Sequence, residues 1–564
     1  FASYYGDHMV LQKKPPGAVV WGHGELGAVV IVTLSGPSGL IMEKTAQVKG
    51  PSGTWTTVLD PMDQGGPYTL TAQQGLEDVT LRDIYFGDVW LCSGQSNMAM
   101  TVLQVANASQ ELAAAAHYPY VRIFAAAPAR SDVELEDLEQ IDLPWSIPTA
   151  AENLGHGNFT YFSAVCWLLG RSLYEALGSP IGLVEVAWGG TPIEAWSSRR
   201  VLQACGLPED TGREGPQISL WHGACFNLNP ALCFAPPLNL ALSSSTSPHQ
   251  HLSGPQVPSV LWNAMIHPLL NMTLRGVAWY QGEPSFLSPG VEQLPLSHRA
   301  LTSPSFLGTG EANTFLNTDQ YNCTFPALIA DWRRAFHTGS LGQTETLLPF
   351  GFVQLSTYRH QSADDSFARL RWHQTADLGV VPNARMPNTF MAVAMDLGDE
   401  HSPYGRWVLG WGEGVGMEFL GTSPIFFLFL GSIHPRDKQN VAHRLLLGAK
   451  AVAYGDKELV FQGPYPTRAV LEVTRGLLNV TYSQELVYRQ RDAQAFEVCC
   501  SSQASPCQWL PAPVVAVGSH TVTLALSGCR MLVLGLRYAW AEWPCEYQAC
   551  PLYNPQGLPA PPFL

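Results

Sequence analysis

Charged side chains are scarce in this chain of 564 residues, because Asp, Glu, Lys and Arg together make up 14% of it. Acidic residues outnumber basic ones, 46 to 31, and the formal net charge is −15. Nucleic-acid binding requires a basic surface, so this composition argues against such a partner. The length is sufficient for two or three domains, and the 46% of hydrophobic residues is typical of a globular protein.

Uninterrupted apolar segments of membrane length are also lacking. The nearest one, 419–433, is broken by a polar and proline-containing segment at 421–424. We therefore expect no transmembrane helix and no membrane partner. The chain begins with Phe1 and shows no signal peptide, so we expect a mature or truncated product.

Metal-binding patterns are missing as well: the chain has no H-E-x-x-H motif and no C-x-x-C pair. We therefore expect neither a metal nor another cofactor. Twelve cysteines are present instead, and their crowding near the C-terminus predicts disulfides formed in an oxidising compartment. Five N-x-S/T sequons, potential glycosylation sites, also favour a secretory route: Asn107, Asn158, Asn271, Asn322 and Asn479.

The segment 88–98 contains the first candidate for chemistry. Residues 89–92 form an apolar run typical of a buried parallel strand, residues 93–97 favour a turn, and residues 98–116 favour a helix. A serine in such a turn lies at the carboxyl edge of a sheet, beside a helix N-terminus that stabilises negative charge. Ser96 is therefore a candidate nucleophile, although it could serve only as a cap or turn residue. Met98 replaces the second glycine of G-x-S-x-G, which argues against an α/β-hydrolase elbow.

The sequence Gly94-Gln95-Ser96-Asn97 resembles the first conserved block of the SGNH-type esterases, and in particular the sialate O-acetylesterases. Those lysosomal and secreted enzymes remove O-acetyl groups from sialic acids. Most of the C-terminal region resembles the same family, as do these segments: 83–101, 153–198, 260–282, 313–336, 371–396 and 431–455. The resemblance implies a lysosomal or secreted serine esterase acting on O-acetylated sialic acids, free or on glycoconjugates.

The residue patterns predict an α/β fold in three parts. Residues 1–82 contain short β-rich runs between Gly and Pro turns, which predict a small β domain. In residues 83–455, strands alternate with helices, as in a parallel sheet flanked by helices; the resemblance identifies this sheet as SGNH-type. Residues 456–564 lose the helical period and predict a β-sandwich-like domain.

Three stretches fit none of these patterns: 209–256, 284–310 and 406–430. The last two interrupt segments that the resembled family has continuous. Joining Gly282 to Glu311 restores Gln-Gly-Glu-Ala-Asn, and joining Gly405 to Ser432 restores Pro-Tyr-Gly-Ser-Ile-His. They are interpreted as translated intervening sequence or a splice variant, with ordinary surface insertions as the alternative.

The resemblance implies that His434 is the catalytic base. It directly precedes a Pro-led helix predicted over 435–453. Many SGNH-type enzymes carry an aspartate three residues before this histidine, where the present chain has Gly431. The third member therefore stays open between a backbone carbonyl in a Ser–His dyad and three carboxylates: Asp396, Asp399 and Asp437.

An oxyanion hole is expected from the backbone N–H groups of Ser96 and Gly190, with a side-chain N–H from Gln281 or Asn313. The glycine comes from a Gly-Gly-Thr-Pro block that the family uses for this purpose.

Two residues are candidates for binding the substrate. Glu283 is the first candidate, and Glu311 is the alternative for the same glutamate position of the family's Gln-Gly-Glu-Ala-Asn motif. Arg371 is a candidate for the sialic acid carboxylate, because arginine binds carboxylates bidentately.

Two other functions compete with a sialic acid esterase. One is an esterase for other acetylated sugars, and the other is a secreted glycoprotein that the insertions have inactivated. The discriminating feature is whether the turns carrying Gln281 and His434 still reach Ser96.

Overall fold

The computed structural model describes residues 1–208, 254–282, 312–360, 362–403, 433–489, 495–501, 507–526, 528–529 and 532–564. Three predicted features lie outside the described residues: nearly all of the three unassigned stretches, the competing residues Glu283 and Glu311, and Gly431.

The N-terminal region is β structure, as its short β-rich runs between Gly and Pro turns predict. Its strands are β1 (Val10–Gln12), β2 (Ala18–His23), β3 (Val29–Gly36), β4 (Gly39–Gln47), β5 (Thr54–Leu59), β6 (Gly65–Gln74) and β7 (Glu77–Gly94). Strands β4, β3, β6 and the first half of β7 are antiparallel neighbours, and β2 pairs with β5. The second half of β7 belongs to the central sheet. The predicted domain boundary at 82 therefore falls inside a strand that both regions share.

The central sheet has the order β13-β12-β11-β7-β10-β8-β9. All its neighbours are parallel except β9, which is antiparallel to β8. The added strands are β8 (Val121–Ala126), β9 (Ile141–Ser146), β10 (Ile181–Ala187), β11 (Gly276–Tyr280), β12 (Phe350–Gln354) and β13 (Thr389–Val393). The predicted α/β class with a parallel sheet is confirmed, and the antiparallel edge strand β9 is an addition to it.

Helices cover both faces of this sheet. They are α1 (Ser96–Ala99), α2 (Ala108–Ala114), α3 (Ala164–Leu177), α4 (Arg199–Ala204), α5 (Ala312–Phe315), α6 (Tyr321–Gly339), α7 (Ser366–His373) and α8 (Lys438–Val452). Side chains alternate between faces along β7. Val89 and Leu91 join the core that contains α6, whereas Trp90 and Cys92 join the core beneath α3 and α8. The 89–92 run is thus apolar throughout because both of its faces are buried.

The continuous helix predicted over 98–116 is wrong. Helix α1 ends at Ala99, and Met100 and Thr101 are extended. Thr101 and Gln104 then form a capping box that starts a separate short turn, and Asn107 adopts the left-handed conformation before α2. The segment has only a modest helix propensity. The hydrogen bonds of these local caps therefore outweigh it and end the helix.

The C-terminal region is built of short strands, as its sequence predicts. They are β14 (Pro466–Glu472), β15 (Leu477–Tyr482), β16 (Val487–Tyr488), β17 (Phe496–Cys500), β18 (Gln508–Pro511), β19 (Val514–Val517), β20 (Thr521–Ala525), β21 (Val533–Tyr538) and β22 (Leu552–Tyr553). Within the described residues they form sheets in the orders β14-β15-β20-β19, β18-β17-β21 and β16-β22.

Disulfides are present, as the cysteine content predicts. All six C-terminal cysteines are paired, as Cys499–Cys507, Cys500–Cys529 and Cys545–Cys550. Two further bonds lie in the central region, Cys92–Cys166 and Cys205–Cys323. None of the described helices is long and apolar enough to cross a membrane.

The Cys92–Cys166 bond joins β7 to α3 and encloses a loop with a sequence separation of 74 residues. Replacing both cysteines by alanine should lower the free energy of unfolding by about 2–4 kcal/mol, because the unfolded chain gains loop entropy. Calorimetric unfolding measures this loss. The matched control is the double alanine variant of Cys545–Cys550, whose separation is only 5 residues. Equal losses in the two variants would contradict the loop-entropy explanation.

Candidate active site

Three neighbouring strands of the central sheet end at the same level. Ala187 of β10 and Tyr280 of β11 both stand in register with Gly94, the last residue of β7. The carboxyl ends of strands in open parallel sheets form the edge at which such folds bind ligands. The turns beyond these ends contain three predicted site residues that are distant in sequence: Ser96, Gly190 and Gln281.

Gly94 allows the nucleophile turn to lie against β11. Its φ is +143°, and a Cβ at this position would lie 2.0 Å from the carbonyl oxygen of Tyr280. The same oxygen accepts a hydrogen bond of 3.0 Å from the N–H of Gln95. A side chain at position 94 would separate the two strand ends, so this close approach requires glycine.

Ser96 begins α1 directly after this turn, and only 9% of it is exposed. Its Oγ is buried and has no hydrogen-bond partner among the described residues. A Cβ on Gly189 would lie 3.2 Å from the Cβ of Ser96, so the glycine turn packs directly against the serine. Gly190 follows with φ +80°, a conformation that favours glycine. The two predicted backbone donors therefore belong to adjoining turns.

Asn97 connects the nucleophile helix to the segment that carries His434. Its Nδ2 donates a 2.8 Å hydrogen bond to the carbonyl oxygen of Ile433, and the buried Lys438 ammonium donates to its Oδ1. The hydroxyl of Ser402 donates a 2.6 Å bond to the carbonyl oxygen of His434. The residue after the predicted nucleophile thus binds the residue before the predicted base. Sequence reasoning did not identify Asn97, although it directly follows Ser96.

All three candidate acids have polar partners of their own. Asp396 pairs with Arg444, Asp399 pairs with Arg436, and Asp437 accepts hydrogen bonds from Asn440 and Tyr547. Burial would raise the pKa of Asp399, but hydrogen bonds and charge from Arg436 hold it below its usual value. Each of the three carboxylates stays a prediction as the third catalytic member.

Gln281 and Asn313 lie together in a buried amide network. The Nε2 of Gln281 donates to the Asn313 Oδ1 at 2.7 Å and to the Thr191 carbonyl at 3.2 Å. The Nδ2 of Asn313 donates to Glu194 at 2.9 Å and to the Leu316 carbonyl at 3.1 Å. Both amides therefore brace the turn that carries Gly190, and their use as oxyanion donors stays a prediction.

Glu194 is a second site residue that sequence reasoning missed. It is 3% exposed and also accepts a 2.9 Å hydrogen bond from Asn317. Burial raises the pKa of Glu194, and the amide donors Asn313 and Asn317 oppose that rise. A carboxylate within the otherwise apolar segment after Gly-Gly-Thr-Pro was the available sequence signal.

The structure does not support Arg371 as a ligand for a substrate carboxylate. The residue is fully buried in α7, and four of its five N–H groups donate to main-chain carbonyls, those of Leu355, Ser356, Ala541 and Glu542. Burial lowers the pKa of its guanidinium to about 9. Arg371 instead joins the loop after β12 to the C-terminal region.

The five sequon asparagines differ in exposure. Asn107 and Asn158 are exposed, whereas Asn271, Asn322 and Asn479 are partly buried. Asn322 and Asn479 also donate side-chain hydrogen bonds to Asp377 and Glu472. Glycosylation stays a prediction for all five, and exposure favours the first two.

Comparisons with known proteins give a consistent result. The sialate O-acetylesterase of Homo sapiens is 50% identical over 570 residues, which cover 100% of this chain and 92% of that protein. The sialate O-acetylesterase of Rattus norvegicus is 51% identical over 571 residues, covering 100% and 93%. The chain belongs to the sialate O-acetylesterase family.

Two further comparisons agree with this assignment. The family model of the sialate O-acetylesterase C-terminal domain matches residues 467–564. A crystal structure of a carbohydrate acetylesterase from Xanthomonas citri is 25% identical, with a TM-score of 0.69 and coverage of 99% of this chain and 98% of that one. The protein is thus an esterase whose fold matches nearly the full length of a solved carbohydrate acetylesterase.

Glu185 is a buried carboxyl group near the candidate active site. It lies on β10, two residues before the strand ends, and accepts a hydrogen bond from the N–H of Ser163, the N-cap of α3. Burial raises the pKa of Glu185 to about 8, and the Ser163 N–H opposes that rise only in part. The folded protein therefore retains a proton here that the unfolded chain releases at lower pH.

Asn97→Asp should reduce kcat at least about tenfold. The carboxylate retains an acceptor for Lys438 but loses the donor to the Ile433 carbonyl, so the segment carrying His434 is displaced. Steady-state kinetics with an aryl acetate measures this loss, and the melting temperature reports folding. Asn388→Asp, a change in a loop asparagine at the opposite end of the sheet, is the control. Unchanged kcat in Asn97→Asp would show that this hydrogen bond does not position the base.

Glu185→Gln should weaken the pH dependence of stability. The folded pKa of about 8 lies above the ordinary value of 4.5, so the contribution of Glu185 is complete below pH 4.5 and is lost as the pH rises towards 8. The melting temperature of the wild-type protein should consequently fall more between pH 5 and pH 8 than that of Glu185→Gln. The exposed Glu175, replaced by Gln, should behave like wild type. An identical decline in wild type and Glu185→Gln would refute this assignment.

Proposed function

We propose that this esterase hydrolyses O-acetyl esters of sialic acids, with Ser96 as nucleophile and His434 as general base. The buried Ser96 hydroxyl supports the proposal most directly, because it lies unbonded, within the described part of the chain, where three parallel strands end. The name of its relatives, sialate O-acetylesterase, supports the choice of sialic acid. Lysosomal or secreted localisation is proposed as well, supported by the disulfides and sequons.

In the proposed reaction the Ser96 Oγ attacks the acetyl carbonyl carbon while His434 accepts its proton. The backbone N–H groups of Ser96 and Gly190 stabilise the oxyanion, each by roughly 3 kcal/mol. Collapse breaks the bond to the sugar oxygen, which receives the proton from His434. Water then attacks the acetyl-enzyme with His434 again as base, which releases acetate and restores Ser96.

An esterase for other acetylated sugars is the second candidate. The similarity to the bacterial carbohydrate acetylesterase supports it, because that protein is described only as acting on carbohydrates. Acetate release from O-acetylated sialic acid and from an O-acetylated neutral sugar, measured side by side, distinguishes the two. An inactive secreted glycoprotein predicts no acetate release from either substrate.

Ser96→Ala should lower kcat at least about 10³-fold without lowering the melting temperature, because no described hydrogen bond of the hydroxyl is lost. A fluorophosphonate probe should label wild type at Ser96 and leave this variant unlabelled. The matched control is Ser93→Ala, which removes another buried hydroxyl from the end of β7. Retained activity in Ser96→Ala, or labelling at a different serine, would refute Ser96 as the nucleophile.

A further inference from the structure

Two adjoining clefts lie between the central and C-terminal regions. The smaller one has a volume of about 470 Å³ and the larger one about 790 Å³. Both volumes are within the roughly 300–1,000 Å³ typical of ligand sites. Trp543 and Glu546 line both clefts, so the two meet at these residues. Together they are named here the side trough.

The smaller cleft begins next to the segment that carries His434. Arg436 and Asp437 line it, and they follow His434 by two and three residues. From there the trough passes Tyr547 and Trp543 to the larger cleft, whose wall includes Trp540. The trough therefore leads from the neighbourhood of the base towards the C-terminal β structure.

Two tryptophans give the trough surfaces suited to sugar rings. Trp540 and Trp543 are both partly exposed, and aromatic faces pack against the C–H faces of pyranose rings. Trp543 lines both clefts and Trp540 lines the larger one, so both rings border the trough.

The charges of the larger cleft disfavour an anionic occupant. Glu497 holds the guanidinium of Arg537 through two hydrogen bonds of 2.7 and 3.1 Å, and Glu546 contacts His360 at 2.9 Å. Asp364 and Asp365 add further carboxylates to the wall. A neutral sugar can bond to these fixed carboxylates through its hydroxyl groups, whereas a sialic acid carboxylate would be repelled.

We propose that the side trough binds the neutral sugar residues that carry a terminal sialic acid, so that the enzyme prefers glycoconjugate-linked substrate to the free monosaccharide. The proposal rests on the function proposed above. It assigns to the C-terminal region a part in substrate selection, with Trp540 and Trp543 as the stacking surfaces.

The test compares kcat/KM for three substrates: a sialylated oligosaccharide with an O-acetylated sialic acid, the free O-acetylated sialic acid, and an aryl acetate. Trp540→Ala should reduce kcat/KM about tenfold for the oligosaccharide, mainly through KM, and should leave the other two within about twofold. Trp540→Phe should restore most of the loss, because it retains an aromatic face. Ala363→Phe narrows the larger cleft from an exposed position and should have the same selective effect without removing a packed side chain.

The matched control is Tyr120→Ala, which removes an exposed aromatic ring at the amino edge of the sheet, where β8 begins. It should leave all three substrates unchanged. Equal losses on all three substrates in Trp540→Ala and Ala363→Phe would show a structural role and overturn the proposal. Unchanged oligosaccharide kinetics in both variants would overturn it too. Failure of the proposed function itself is distinguishable, since wild type would then hydrolyse the aryl acetate and neither sialic acid ester.

Discussion

The close approach of two strand ends underlies the candidate active site. Gly94 lets the end of β7 lie against the Tyr280 carbonyl, and the adjacent Gln95 N–H bonds to the same oxygen. The turn that follows places Ser96 between β10 and β11, against the Gly189 turn. A parallel sheet brings its loops to one edge, but only a residue without Cβ allows these loops to come so close.

Buried polar groups hold this arrangement together. Asn97 spans from the nucleophile helix to the segment of His434, while Gln281, Asn313 and Glu194 form a connected network behind the glycine turn. Such groups are costly to bury unless they are hydrogen-bonded, and here each has a partner. A network of this kind fixes the geometry of a site more firmly than apolar packing does, because each bond has a required direction.

The C-terminal β structure is attached to the catalytic sheet through charged groups. Arg371 donates to the carbonyls of Ala541 and Glu542, Arg359 pairs with the Glu542 carboxylate at 2.9 Å, and the Tyr553 hydroxyl donates to Asp396 at 3.1 Å. Asp396 in turn pairs with Arg444 of α8, the helix that follows His434. These contacts hold the C-terminal region, which lines part of the side trough, against the central sheet.

The sequence alone predicts the α/β class, the strand that leads to Ser96, the cysteine-rich C-terminal β region and the family. It can do so because strand patterns, cysteine content and the Gly94-Gln95-Ser96-Asn97 block are local properties of the chain. The helix ends after Ala99 because specific capping hydrogen bonds follow it, and helix propensity alone does not predict where such caps form. Three other features depend on contacts between residues that are distant in sequence: the shared strand β7, the amide network around Glu194 and the structural role of Arg371. The burial and the hydrogen-bond partners of a side chain depend on residues far apart in sequence. From the sequence, the guanidinium of Arg371 could bind either a substrate carboxylate or main-chain carbonyls. The folded chain shows that it binds carbonyls.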